Sequence, residues 1–327
     1  MIHSSALRWL LAALSCAGVL LFLVPGHLGL WAHYPFTQLS AMRMLTTLGL
    51  LGGALGALTW AVLRPRGTWW RPSLVTASVT LVVSALVLTF LVRDGALAGS
   101  RTPTDATDLV VLSFNAHGAT AQEILEVGRD VDPDVIMLVE APDELVRAVA
   151  DGFDGASAFT NAEEATSVYD AVGIVTRARI GTYEQVQGPR LQLGSVAIEG
   201  GGHGPSHLTA VHPLPPRQRY APAQRWREEV SRAVRWCEDR SDAIIGGDFN
   251  AVSDHLRRLG LDRCSSATDT LGLSARGTWP TALPAPLGAG IDHQLSDPGS
   301  WLPTRAEIVT IGGSDHRAVL VSWLRAA

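Results

Sequence analysis

Residues 246–255, GGDFNAVSDH, set a carboxylate and an amide two positions apart around a phenylalanine. Alternate side chains of a strand share a face, so Asp248 and Asn250 can address one ligand while Phe249 anchors behind. Gly246 and Gly247 leave room for close backbone approach. A carboxylate beside an amide suits a phosphate and an attacking water. The carboxylate accepts a proton, and the amide donates hydrogen bonds to phosphate oxygens. An isolated Asp-x-Asn is more often an Asx turn closing a strand. The rest of the chain has to decide between the two.

Polar groups recur in the same setting. Asn115 ends the apolar run Leu109–Phe114, and Glu140 ends Val135–Val139. His212 follows His207–Val211 and precedes a proline-stiffened Pro213-Leu214-Pro215-Pro216. Asp292-His293 and Asp315-His316 each adjoin another apolar run. Singly, these are strand ends meeting water, or structural histidines. As a set they hold what metal-assisted phosphoester hydrolysis requires. Hard oxygen donors suit Mg²⁺, a histidine stabilises phosphate charge, and a carboxylate activates water. The scarcity of cysteine near the histidines argues against a structural zinc.

The elements that must position these groups occupy residues 108–327. Strands are expected at Leu109–Phe114, Val135–Val139, Ala171–Thr176, Gln192–Ile198, His207–Val211, Ala243–Gly247, Ile291–Leu295 and Arg317–Trp323. Helices are expected at Thr120–Asp130, Asp143–Ala150 and Gln218–Asp239, the last with Trp226, Val230, Val234 and Cys237 on one face. Strands and helices in this number build a two-sheet sandwich with outer helices. Cys237 and Cys264 could oxidise in an exported domain. They serve as readily as two buried small side chains, and the expectation is that they stay unpaired.

The first third of the chain has a different composition. Mean hydropathy is +0.18 and only 17% of residues are charged, and the apolar surplus sits in the first hundred residues. Three apolar stretches at about 6–24, 44–63 and 73–92 have the length a bilayer requires. They read as three transmembrane helices in a membrane anchor at 1–95, joined to the domain by a linker at 96–107. Gly49, Gly52, Gly53 and Gly56 give the second stretch two small-xxx-small spacings that allow close helix contact. Arg64, Arg66 and Arg71 crowd the loop between the second and third stretches, whereas the first loop holds only Arg43. Positive residues stay inside, so the N-terminus is expected in the cytoplasm and the 108–327 domain outside it. Ala96-Leu97-Ala98 has the character of a signal cleavage site, but the apolar stretches are too long and too many for a simple signal.

The motifs, taken in order, resemble the endonuclease/exonuclease/phosphatase superfamily. They are Asn115, Glu140, His212-Pro213-Leu214-Pro215, Gly247-Asp248-Phe249-Asn250, Ile291-Asp292 and Ser314-Asp315-His316. Thr278-Trp279-Pro280 and Gly173-Ile174-Val175-Thr176-Arg177 also resemble family segments. The likeness implies an α+β fold, the four-layer αββα sandwich of DNase I-like proteins, and divalent-metal phosphoesterase activity. It implies that Glu140, with Asn115 and Asp315, holds Mg²⁺ or Mn²⁺. Asp248 would activate water, Asn250 would contact the scissile phosphate, and His212 and His316 would bind and polarise it. Asp292 would fix the tautomer of His316. Two departures stand out: Thr176 replaces the usual serine, and the domain is short.

From residue 101 onward the chain carries 20 arginines against 30 aspartates and glutamates, a formal charge of −10. Dedicated nucleic-acid binding needs a basic surface, so none is expected. The basic cluster of Arg217, Arg219, Arg225 and Arg227 follows the His212 loop and could clamp a second phosphate or a headgroup. Its alternative role is a solvated helix face balanced by Glu228 and Glu229. A tethered domain meets lipid-linked phosphates at high effective concentration. The architecture also resembles membrane-anchored actinobacterial members of the superfamily associated with teicoplanin resistance, which implies a lipid carrier of cell-wall synthesis. An exported nuclease and a catalytically inactive binding module are the competing readings.

Overall fold

The computed structural model describes residues 30–63, 74–86, 104–217 and 223–326. The chain divides into two compact units, Met1–Asp94 and Gly95–Ala327.

In the first unit a short helix α1 (Phe36–Ala41) leads into α2 (Arg43–Leu63). Among the described residues α2 alone is long and apolar enough to cross a membrane. Leu48, Leu55, Trp60 and Val62 lie exposed along it. A second apolar helix, α3 (Leu74–Leu86), is shorter. The expected stretch at 6–24 and the end of the third lie outside the described residues. Hydroxyls on these helices turn back on their own backbone: Thr47 bonds Arg43 O (2.9 Å) and Ser78 bonds Leu74 O (2.8 Å). The glycine spacing does less than expected. Among the described residues Gly53 approaches Leu81 of α3, and Gly49, Gly52 and Gly56 have no neighbour within 4 Å.

The second unit is built on two six-stranded sheets. The first has the order β11-β12-β1-β2-β4-β3, and the second β5-β6-β7-β8-β10-β9. The first sheet comprises β1 (Leu109–Asn115), β2 (Val135–Val139), β3 (Ala156–Thr160), β4 (Val172–Arg177), β11 (Trp301–Thr310) and β12 (Arg317–Arg325). The second comprises β5 (Gly181–Val186), β6 (Ser195–Gly202), β7 (His207–Val211), β8 (Ala243–Asp248), β9 (Ser265–Ser266) and β10 (Asp292–Ser296). Helices α4 (Ala121–Val131) and α5 (Asp143–Asp151) cover the outer face of the first sheet. The outer face of the second carries α6 (Ala223–Glu238), whose Trp236 indole bonds Thr209 of β7 at 3.1 Å. Two short helices, α7 (Ser253–Arg258) and α8 (Ala267–Thr270), follow β8 and β9. The αββα sandwich expected from the motifs is the observed fold.

The central strands are apolar throughout because both of their faces are buried. Leu109, Val111, Val135, Met137 and Val139 enter the core between the sheets, with Leu208, Ala210 and Ile244 from the opposite side. Their even-numbered neighbours Leu112, Phe114, Ile136 and Leu138 pack under α4 and α5 with Ile124, Val146 and Val149. Period-two alternation then carries the inter-sheet face on to the strand ends. The series 109-111 ends at Asn115, 208-210 at His212, and 244-246 at Asp248. β1 runs parallel to β2 and β7 parallel to β8, so these ends lie at one edge of the sandwich. Gly246 permits the sheets to meet, since a Cβ there would lie 2.7 Å from Met137 Sδ.

Cys237, at the end of α6, forms a disulfide with Cys264, just before β9. This corrects the expectation of two separate thiols. Helix and loop bring Cα atoms 27 positions apart in sequence to 6.3 Å, a spacing sequence alone does not reveal.

Candidate active site

Both sheets contribute to one polar cluster at that edge. Asn115 is fully buried beneath it, and its Nδ2 lies 3.0 Å from Glu140 Oε1, 3.3 Å from Asp248 Oδ2 and 3.5 Å from His316 Nε2. Its Oδ1 accepts the His117 N–H at 3.2 Å. The residue expected to hold a metal thus aims its amide nitrogen at two carboxyls and serves as their spacer.

Asp248 and Asp292 sit directly opposite one another on antiparallel β8 and β10. Asp248 Oδ1 accepts the Asn250 N–H at 2.8 Å, an Asx turn, and Oδ2 is left facing the cluster. The Asx turn is thus present at Oδ1, and it leaves Oδ2 available to the cluster. The strand stops at Asp248, so a left-handed turn, with Asn250 at φ 49°, sets the amide rather than strand alternation. Asn250 Nδ2 donates to Pro213 O at 3.0 Å and retains a second hydrogen for a ligand. Glu140 is also left-handed, at φ 52°. That conformation costs a non-glycine residue roughly 1 kcal/mol and is typical of functional positions.

His316 donates from Nδ1 to Asp292 Oδ2 at 2.9 Å, and its Nε2 lies 3.7 Å from Asp248 Oδ2. Burial alone would lower its pKa. The charges of Asp292 and Asp248 outweigh burial and raise it to about 10, so the ring is a cation at neutral pH. His212 is buried more completely and its pKa is lowered. Its Nδ1 bonds Tyr169 O at 3.1 Å, directing Nε2 to a point 3.8 Å from Glu140 Oε1 and 3.7 Å from Asp248 Oδ2. Burial, and next the charge of Asp292, push Asp248 up to about 6, within reach of a general base at neutral pH. Burial also raises Glu140.

Asp315 is exposed at the rim, where its Oδ2 accepts the Trp279 indole N–H at 2.9 Å. His117 lies 3.0 Å from Glu140 Oε2 without the alignment of a hydrogen bond, and stacks on Tyr169 with centroids 5.3 Å apart. Sequence reasoning gave no role to His117, Tyr169 or Thr278. Thr278 Oγ1 accepts the backbone N–H groups of Ile291 (3.1 Å) and Asp292 (3.2 Å). Thr278 stood inside a segment already singled out, Thr278–Pro280, and His117 stood two residues beyond Asn115. Tyr169 gave no signal, because its contribution is a backbone carbonyl. Of the basic cluster, Arg217 and Arg225 are exposed, and neither has a hydrogen bond or ion pair to the site residues. Arg219 lies outside the described residues.

The donor chemistry fits a hard divalent cation. Glu140, Asp248, Asp292 and Asp315 gather around a single cationic ring, and Asp292 Oδ1 is buried without a partner. The tightest group of possible ligands is Asp248, Asp292 and His316, whose donor atoms lie within 4.8 Å of one another. Its imidazole is spent, however, with Nδ1 bonded to Asp292 and the ring protonated. The oxygen donors Glu140 and Asp315, nearer the solvent, are better suited to Mg²⁺.

The family model described as Endonuclease/Exonuclease/phosphatase matches residues 112–316. This chain belongs to that family. The matched span begins in β1 and ends at His316, so it takes in every strand end that supplies the site. Among solved structures, D. rerio TDP2 complexed with a single-strand DNA product is similar over 66% of this chain and 98% of its own, with TM-score 0.53 and 18% identity. A protein from Enterococcus faecalis V583 is similar over 66% and 100%, with TM-score 0.50 and 12% identity. The mannosyl-6-phosphatase of Bacteroides thetaiotaomicron VPI-5482 is similar over 66% and 99%, with TM-score 0.46 and 14% identity. No curated protein sequence matches the chain. Members of the family hydrolyse ester bonds of phosphate with the help of divalent metals, which is the chemistry that this donor set suits.

Proposed function

We propose that this protein is a membrane-tethered, extracytoplasmic, metal-dependent phosphoesterase that hydrolyses a phosphoester or pyrophosphate of a lipid-linked substrate. One observation carries the chemical part. A carboxyl with pKa about 6 and an imidazolium with pKa about 10 face each other at 3.7 Å on opposing sheets. Asp248 takes the proton of a water as its oxygen bonds to phosphorus. The bond from phosphorus to the leaving oxygen then breaks. His316 stabilises the charge that builds on the phosphoryl oxygens, with Asp292 fixing its ring. His212 and the free amide hydrogen of Asn250 orient the phosphate. Glu140 and Asp315 would hold a Mg²⁺ or Mn²⁺, which would supply Lewis-acid neutralisation of that charge.

Several features support the rest of the reading. Helix α2 supports the tether, and the arginines of residues 64–71 support an outside domain. The Cys237–Cys264 disulfide agrees with an oxidising compartment. The formal charge of −10 from residue 101 onward disfavours nucleic acid, and tethering favours lipid-linked phosphate. The likeness to teicoplanin-resistance-associated proteins makes a cell-wall lipid carrier the first substrate to try.

The deciding assay gives the full chain in detergent micelles Mg²⁺ with polyprenyl pyrophosphate, phospholipid or plasmid DNA in parallel. Release of phosphate or headgroup is expected, and cleavage of DNA alone would replace this reading with the nuclease. Fusions at Ala327 test the orientation: active alkaline phosphatase is expected there, and a fluorescent, phosphatase-inactive terminus would reverse it.

A further inference from the structure

Helix α6 carries a carboxylate where its pattern calls for an apolar side chain. Trp226, Glu229, Val230 and Ala233 are spaced as one buried stripe, and Glu229 is only 8% exposed. Burial raises its pKa, and Arg232 and Arg225 are the nearest cationic influences on it. A buried carboxyl is tolerated only where it is hydrogen-bonded. Here both partners are backbone groups on either side of His212. Glu229 Oε2 accepts the Leu214 N–H at 3.0 Å, and the Gln192 N–H lies 3.3 Å from both carboxyl oxygens. Leu214 is two residues beyond His212. Gln192 belongs to the turn whose Gly194 O accepts the His212 N–H at 3.1 Å.

The same helix reaches the other side of the loop. Trp226 Nε1 donates to Asn250 O at 3.0 Å, and Asn250 Nδ2 donates to Pro213 O at 3.0 Å. The contacts close a ring: Trp226 to Asn250, Asn250 to the Pro213 carbonyl, the Leu214 N–H of that same peptide to Glu229, and Glu229 back to Trp226 within one turn of helix. His212 and Asn250 stand on different strand ends, and this ring is what locks them in register.

We infer that Glu229 is a positioning residue, which acts through the Pro213-Leu214 backbone to hold the His212 ring in the tautomer that points Nε2 at the reacting groups. The claim rests on the phosphoesterase reading for its consequence but not for its geometry. Glu229 touches no reacting atom. With the loop released, His212 loses its aligned Nδ1–H bond to Tyr169 O and samples both tautomers.

The test uses full-length protein in micelles, labelled with ¹⁵N-histidine and with His212 assigned by its loss in His212→Asn. Wild type is expected to show one His212 tautomer with the proton on Nδ1. Glu229→Ala should average the two ring nitrogens and lower kcat about tenfold, while KM changes less. Glu229→Gln, which keeps one acceptor oxygen, should restore most of both. A folded Glu229→Ala with wild-type His212 resonances and kcat overturns the inference. Should that variant not fold, Glu229→Met keeps the buried bulk and removes both acceptor oxygens. It should move the His212 signals in the same direction, and unchanged signals there overturn the inference equally. Loss of the tautomer signature in a chain whose wild type cleaves no phosphoester would end the phosphoesterase reading and leave the positioning of His212 standing.

Discussion

The two ends of the sandwich treat carboxylates in opposite ways. At the end where β1, β2, β7 and β8 begin, the acids that flank the strands have partners. Asp132 pairs with Arg179 (2.7 Å) and Arg177 (2.9 Å). Asp134 pairs with Arg179 and accepts the Val110 N–H at 2.7 Å. Asp242 accepts from Ser206 (2.5 Å) and Trp301 (2.7 Å), with Arg325 3.5 Å away. The Arg179 hydrogen bond lowers the pKa of Asp132. Burial alone would raise Asp242, but Ser206, Trp301 and Arg325 bring it below the ordinary value. Where the same strands finish, burial raises Glu140 and Asp248, and no arginine bonds to either. The strands are equally well packed along their length. What differs is whether the acid has been given an arginine: at the finish the acids share one imidazolium, His316. The beginning of the strands is built for stability, and their finish holds charge ready for something that arrives.

Substitutions at the two ends should therefore fail differently. The largest effect is expected from Asp248→Asn and His316→Ala, each lowering turnover at least about a hundredfold; Asp248→Asn should leave the melting temperature nearly unchanged, whereas His316→Ala should also lower it, because buried Asp292 loses its cation. Measuring both quantities on one preparation decides the matter. A destabilised Asp248→Asn with normal activity per folded molecule would make this end structural too. Glu140→Gln should weaken Mg²⁺ binding by about tenfold or more without unfolding the chain, read by calorimetric titration. Equal affinities would move the metal elsewhere.

Asp292→Asn should resemble a milder loss of His316. Joined to His316→Ala, it should cost much less than the sum of the two, because both remove one pair. The same pair gives a pH signature in chelator-treated protein. The folded pKa of His316 is raised from 6.5 to about 10, so its contribution to stability is full below about pH 6.5 and is lost as pH rises through about 10. Thermal melts from pH 6 to 10 should show this slope, and Asp292→Asn should flatten it. The smallest effect on activity is expected at the opposite end. Asp242→Asn should cost about 1–3 kcal/mol in a denaturant melt and leave kcat unchanged. A loss of activity there would erase the contrast.

The central strands were legible because burial on both faces makes them continuous apolar runs. Val135–Val139 and His207–Val211 fall where the residues place them. The polar residue closing each run marked the site for the same reason, since a carboxylate there interrupts a pattern nothing else interrupts. The edge strands were not legible. β3 and β5 are mostly half-buried or exposed, and β11 carries Pro303 at an irregularity in its register. Edges need no apolar run, so they leave none to read. The partners that orient the site were hidden for another reason. Tyr169 and Pro213 act through carbonyls and Leu214 through an N–H, and every residue type but proline owns both. Glu229 was visible as a departure from its helix pattern but was taken only as charge balance for nearby arginines.

Neither sheet owns an active site. Asn115, Glu140 and His316 belong to one, His212, Asp248 and Asp292 to the other, and the bond from His316 to Asp292 crosses the gap. Gln294 spans the same gap deeper in, from β10 to the carbonyls of Val111 (3.0 Å) and Val319 (2.9 Å). A nascent chain with one sheet complete would carry half a constellation and no chemistry. His316 follows every other site residue along the chain, so the constellation is completed only when β12 docks beside β1 and brings it to Asp292.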